Sequence, residues 1–157
     1  MKAFRYYLIP GIFIFIIAVG CKKAAVPTAV NTNTQLTAYI NNSLVEFTGT
    51  ASEPSPNQYV ISGVSGNNVK IQLSFAAPNT GSYILGTMNF NGEATVTSAS
   101  GEVWSTNVSD SGSVYVTTLT SAPHSIAGSF TFTGAETKPT PNASTVTVTN
   151  GNFNLTW

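Results

Sequence analysis

The chain is poor in the residues that most chemistry needs. It carries one cysteine, Cys21, so no intrachain disulfide can staple it and no thiolate set can hold a metal. It has one histidine, His124, and one aspartate, Asp110. A Ser–His–Asp triad needs a histidine held by a carboxylate, and His124 follows Pro123 in a turn signal with no such partner nearby in sequence. No Asp-x-Asp-x-Asp-Gly calcium loop occurs, so no metal or cofactor site is expected. Charge is scarce as well: charged residues make up 8% of the chain, and the only arginine is Arg5. Nucleic-acid binding works through clustered Lys and Arg that displace counterions from phosphates, and this composition excludes it.

What the chain does have begins at its N-terminus. Lys2 and Arg5 precede an apolar stretch from Tyr6 to Val19, and Ala18-Val19-Gly20 leads into Cys21. A basic start, an apolar run and a small residue before a cut describe a secretory signal over residues 1–20. The apolar run is shorter than the roughly 20 residues a spanning helix requires. A cysteine directly after the small residue resembles the lipobox of bacterial lipoproteins, although Ala18 stands where that motif usually opens with Leu. The resemblance implies diacylglycerol on the Cys21 thiol, cleavage before Cys21 and acylation of the new amine. Without residues 1–20 the charges are Lys22, Lys23, Lys70 and Lys138 against Glu46, Glu53, Glu93, Glu102, Asp110 and Glu136, a slightly acidic balance.

Residues 21–35 have no periodicity and read as the lipidated cysteine and a flexible tether. Such a tether spans on the order of 20 Å. From residue 36 to 157 the pattern has period 2, which defines one all-β domain. Leu36, Ala38 and Ile40 alternate, as do Val45 and Phe47, and a two-residue loop at Asn42-Ser43 would place Ile40 opposite Val45. Glu53-Pro54-Ser55-Pro56-Asn57 reads as a loop. Val69, Ile71, Leu73 and Phe75 face one way while Lys70, Gln72 and Ser74 face the other. Short strands follow around Tyr83–Leu85, Phe90, Ala94–Val96, Val103-Trp104, Val114–Leu119 and Ile126–Thr133, and a Pro-rich loop covers 135–142. In the last stretch, Val146 and Val148 lie on one parity and Phe153, Leu155 and Trp157 on the other. A turn at Asn150-Gly151 restores a common face and is preferred to a glycine bulge within one strand. Thr, Ser and Asn dominate the remaining positions, as on the solvent face of a two-faced sheet. The expected fold is an antiparallel β-sandwich or barrel of about nine or ten short strands.

The strings YVISGVSGNNVKIQLSF, TGSYIL, SGSVYVTTL, SIAGSFTFTG and TVTVTNGNF follow one another in this order. Their series resembles a family of small, functionally uncharacterised lipoproteins of Bacteroidota, over roughly residues 36–157. The resemblance implies an all-β lipoprotein domain with no assigned activity. In such lipoproteins acidic residues after the lipidated cysteine tend to accompany export to the cell surface. Here Lys22-Lys23-Ala24-Ala25-Val26 follows Cys21, which implies the outer membrane with the domain facing the periplasm.

Three sets of residues could carry function. Two of Glu46, Glu93, Glu102 and Asp110 could converge as a glycoside-hydrolase pair, although scattered acids in a β protein are usually solvated. Tyr39, Tyr59, Tyr83, Phe90, Trp104, Tyr115 and Trp157 could stack on sugar rings. Trp104 is the candidate ligand platform among them, its alternative being a plug at one end of the core. Thr145, Thr147 and Thr149 form an outward ladder that β propensity alone explains. The expectation is a non-enzymatic binding or accessory component of the envelope, held to the membrane by lipid on Cys21, with a glycan or an envelope protein as partner. The other classes are a hydrolase with a Glu pair and a structural spacer. Lipidation has a direct check. Cys21→Ala should abolish metabolic palmitate labelling and leave unprocessed precursor, and labelling that survives the change refutes acylation there.

Overall fold

The computed structural model describes residues 34–86, 92–107, 112–138 and 143–157. The expected signal segment, Cys21, the expected tether up to residue 33, Phe90 and Asp110 lie outside these residues. Ten strands and no helix are present among them: β1 (Thr34–Ile40), β2 (Ser43–Ser55), β3 (Gln58–Ser65), β4 (Lys70–Ala76), β5 (Gly81–Ile84), β6 (Gly92–Thr97), β7 (Val103–Ser105), β8 (Gly112–Ser121), β9 (His124–Glu136) and β10 (Thr145–Thr156). All ten belong to one unit of the chain, Asn31–Trp157. The first strand begins at Thr34, two residues before the period-2 pattern announces it.

The strands pair antiparallel in the order β10-β1-β2-β3-β4-β6-β7-β9, and β9 pairs back onto β10. Eight strands therefore close into a barrel, which decides between the two expected architectures. β8 and β5 are extra. β8 runs along β9 from His124 to Phe132, and β7 takes over the same edge of β9 at Ala135 and Glu136. β5 then pairs with β8.

Alternation fills the interior. On β4, Ile71, Leu73 and Phe75 are buried while Lys70 and Gln72 are exposed. Leu36, Ile61, Leu85, Val96, Val114, Val116, Ile126, Val148 and Leu155 join them in the fully buried set. The barrel is narrow enough that some inward positions tolerate no side chain. A Cβ at Gly63 would lie 2.4 Å from Leu36 Cδ2 and 2.8 Å from Phe47 Cβ.

Four features differ from the sequence reading, each for a local reason. The β1–β2 turn is Asn41-Asn42, both with positive φ, so Ile40 pairs with Ser43 and Ala38 with Val45. A two-residue hairpin turn of this hand needs φ > 0 at both centres, which Asn tolerates and Ser does not favour. Because the turn moves by one residue, the pairing moves by two and every face is kept. Second, Glu53–Ser55 belong to β2, and the turn is only Pro56-Asn57, with Asn57 at φ 64°. Proline first and a positive φ second is a type II pattern. Third, the Pro-rich loop begins later than residue 135, because Ala135 and Glu136 continue β9.

The fourth concerns the C-terminus. Residues Thr145–Thr156 are one continuous strand, so the expected turn at Asn150-Gly151 is a bulge instead. On the β9 side, Val148 pairs with Phe132 and Gly151 with Phe130, leaving two residues opposite Thr131 alone. On the β1 side, Thr149 pairs with Tyr39 and Asn152 with Thr37, leaving two opposite Ala38. Asn150 takes φ 49°, and the extra residue returns Phe153 and Leu155 to the interior with Val146 and Val148. Gly151 faces the Phe130 ring so closely that a Cβ would lie 2.4 Å from it. Two of the long strands, β2 at 13 residues and β10 at 12, carry such an extra residue. Bulges let a strand bend around the barrel without ending.

Phe153 is 3% exposed and stacks on Phe130 with ring centroids 6.3 Å apart. Phe153→Ala should lower the stability read from urea unfolding by about 3–5 kcal/mol. A loss below about 1 kcal/mol would show that the ring does not pack in the core.

Candidate binding surface

Trp104 lies in β7, opposite Val96 on β6 and Glu136 on β9. It is half-buried and packs against the core. Its indole N–H donates to Ser144 Oγ at 2.9 Å, and Glu136 Oε2 accepts from both the Ser144 hydroxyl and the Ser144 N–H. These contacts tie the segment before β10 to the place where β7 and β9 close the barrel. Next to it, the buried Ser105 hydroxyl donates to Glu93 Oε1 at 2.8 Å, and the fully buried Thr106 Oγ1 accepts from the Ala94 N–H.

The described glutamates serve separate turns and strands. Glu53 Oε1 accepts from the Asn57 N–H across the β2–β3 turn. Glu93 holds Ser105, Glu102 accepts from Ser98 and Ser100, and Glu136 holds Ser144. Glu46 is exposed on β2 opposite Thr37. No group of three or more His, Cys, Asp and Glu side chains is placed to hold a metal among the described residues.

The aromatics divide into two settings. At one end of the barrel a chain of rings runs from His124 to Trp157 (5.4 Å, stacked), Tyr59 (6.1 Å, edge-on), Phe75 (6.1 Å) and Tyr83 (6.4 Å). His124 is exposed at the start of β9, and its ring contact is this stack. Tyr39 and Tyr115 stand apart from the chain on the outer face, 38% and 53% exposed. The threonine ladder points outward, with Thr145 and Thr147 exposed and Thr149 half-buried where the bulge interrupts it.

Tyr115 borders a depression on the barrel wall, a groove of about 300 Å³ over β8, β9 and β10. Ser113, Ser129, Thr131, Asn150 and Asn152 line it, with Phe130 and Gly151 beneath. The bulge builds it. Asn150 is turned by its positive φ, and the Asn152 amide donates to the Asn150 carbonyl at 2.9 Å. Thr131 Oγ1 donates to the Val148 carbonyl at 2.9 Å. No side chain in the groove carries a charge at neutral pH. Sequence reading names Tyr115 and flags Asn150-Gly151 as a phase change, yet the serines and Thr131 look like any outward β residues.

Neither the curated proteins nor the solved structures hold a match to this chain. One family model matches, over residues 32–155, with the description "Domain of unknown function (DUF6252)", and the chain belongs to that family. This agrees with the expectation of a family without an assigned function.

One titration follows from the ring chain. Burial raises the Tyr59 hydroxyl pKa above its usual 10.0, and the Glu53 carboxylate, 3.5 Å away, raises it further. The folded state thus holds the proton more tightly than the unfolded chain. That stabilisation is complete below about pH 10 and is lost as pH rises through the folded pKa. Melting temperature should fall as pH rises above about 10, and should fall less for Tyr59→Phe. Equal slopes for the two proteins would refute the coupling.

Proposed function

We propose that this member of the DUF6252 family is an outer-membrane lipoprotein that acts by binding rather than by catalysis. The groove over the β10 bulge carries the binding part of this reading. Uncharged hydrogen-bonding side chains and an exposed aromatic converge there, which is the make-up of a recognition site rather than of an acid–base one. Among the described residues the inward positions are filled by packed side chains and by glycines pressed against them.

The anchoring part rests on the N-terminal sequence. The basic, apolar and small residues before Cys21 support lipidation at that thiol. The resemblance to Bacteroidota lipoproteins and the lysines Lys22 and Lys23 support the outer membrane with the domain on the periplasmic side. Several acyl chains, each adding about 0.8 kcal/mol per buried CH₂, make such an anchor firm.

Envelope fractionation combined with protease shaving of intact cells tests the reading. The protein should sediment with outer membranes and resist the protease until the outer membrane is opened, as a periplasmic control does. Digestion on intact cells would place the domain outside, and recovery in the soluble fraction would refute the anchor.

A further inference from the structure

The groove over the bulge differs from the rest of the outer face in what its side chains leave unused. The Ser113 and Ser129 hydroxyls, the Tyr115 hydroxyl and the Asn150 amide make no hydrogen bond with other described residues. Asn152 has one amide N–H engaged on the Asn150 carbonyl and keeps its Oδ1. Thr131 donates to Val148 and retains its lone pairs as acceptors. Donors and acceptors are thus mixed within one concavity, and they are presented by strands already locked in register with one another. Asn150 in particular is held in the left-handed region by the bulge, so its amide is presented without a search over backbone conformations.

We infer that this groove binds an uncharged oligosaccharide. The inference deepens the binding reading above and rests on it. A pyranose ring presents an apolar face of C–H groups and an equatorial belt of hydroxyls, each of which both donates and accepts. Tyr115, 53% exposed and flanked by the small partners Ser82 and Ser129, offers an open ring for the apolar face. Asn150, Asn152, Ser113, Ser129 and Thr131 meet the hydroxyl belt. Other ligand classes fit less well. An anion would need a lysine or arginine, and none lines the groove. An extended peptide would need free backbone groups along a sheet edge, whereas β9 and β10 beneath the groove are paired on both sides. A volume of about 300 Å³ lies at the small end of ligand pockets and suits a few sugar units laid across the strands.

The full-length protein in detergent, applied to an array of neutral, uronic-acid and sulfated oligosaccharides, tests this. The best neutral hit is then titrated by calorimetry. Neutral oligosaccharides should bind saturably, and Tyr115→Ala should weaken binding about tenfold or more, the equivalent of one good contact. Asn152→Ala should weaken it in the same direction. Tyr115→Phe keeps the ring and should stay within about threefold of the parent. Val64→Ala removes an exposed apolar side chain on β3, which pairs with none of the groove strands, and should change nothing. The variants alter outward side chains, and unchanged melting temperatures confirm that each is folded. Absence of binding to every neutral glycan overturns the inference, as does binding confined to charged glycans or binding that survives Tyr115→Ala and Asn152→Ala. Such a failure is separable from failure of the lipoprotein reading, which fractionation and palmitate labelling decide independently of any sugar.

Discussion

Closure of the barrel depends on one close approach, that of the Gly151 backbone to the Phe130 ring. β10 must pair with β1 on one side and β9 on the other while sending Val146, Val148, Phe153 and Leu155 all inward. A regular strand cannot do this, because those residues fall on opposite parities. The extra residue at the bulge resets the phase, and it fits only because Gly151 has no side chain to collide with Phe130. Had the chain turned back there, β1 and β9 would have lost much of their shared partner. The same irregularity lifts Asn150 and Asn152 around the groove, so the device that closes the fold also shapes its candidate site.

Much of the architecture could be read directly from residue alternation. The inward set of β4, the all-β class, the number of strands and the burial of Phe153 and Leu155 follow from period 2 and turn residues. Turns were less legible, because several conformations serve one pattern. Asn41-Asn42 and Asn42-Ser43 keep the same faces, and only the positive φ at both centres separates them. Glu53-Pro54-Ser55 looks like a loop by composition, yet its backbone continues β2 to a tight Pro56-Asn57 turn. At Asn150-Gly151 parity demanded a reset, and both a turn and a bulge supply one. The decision came from β1 and β9, whose pairing partners are more than 100 and about 20 positions away in the chain.

The candidate site was the least legible part for the same reason. Ser113 and Tyr115, Ser129 and Thr131, and Asn150 and Asn152 come from three strands that meet only through sheet register. Taken singly they are ordinary solvent-face residues. Trp104, the most conspicuous single residue, turns out to be tied down by Ser144 and packed on the core.

Barrel closure has a further consequence for a chain this poor in charge. Colloidal repulsion between copies is weak when only 8% of residues are charged, so protection from aggregation has to come from shape. Strand edges are where β proteins template one another, and closure into a ring gives each of the eight strands a partner on both sides over part of its length. Among the described residues the terminal strand of the sheet is β5, which is four residues long, begins with a glycine at φ 147° and covers β8 from Ser113 to Val116. So short a border offers few backbone groups for a neighbour to extend. Topology here takes over part of the work that lysines and arginines do at the exposed strand edges of other β proteins.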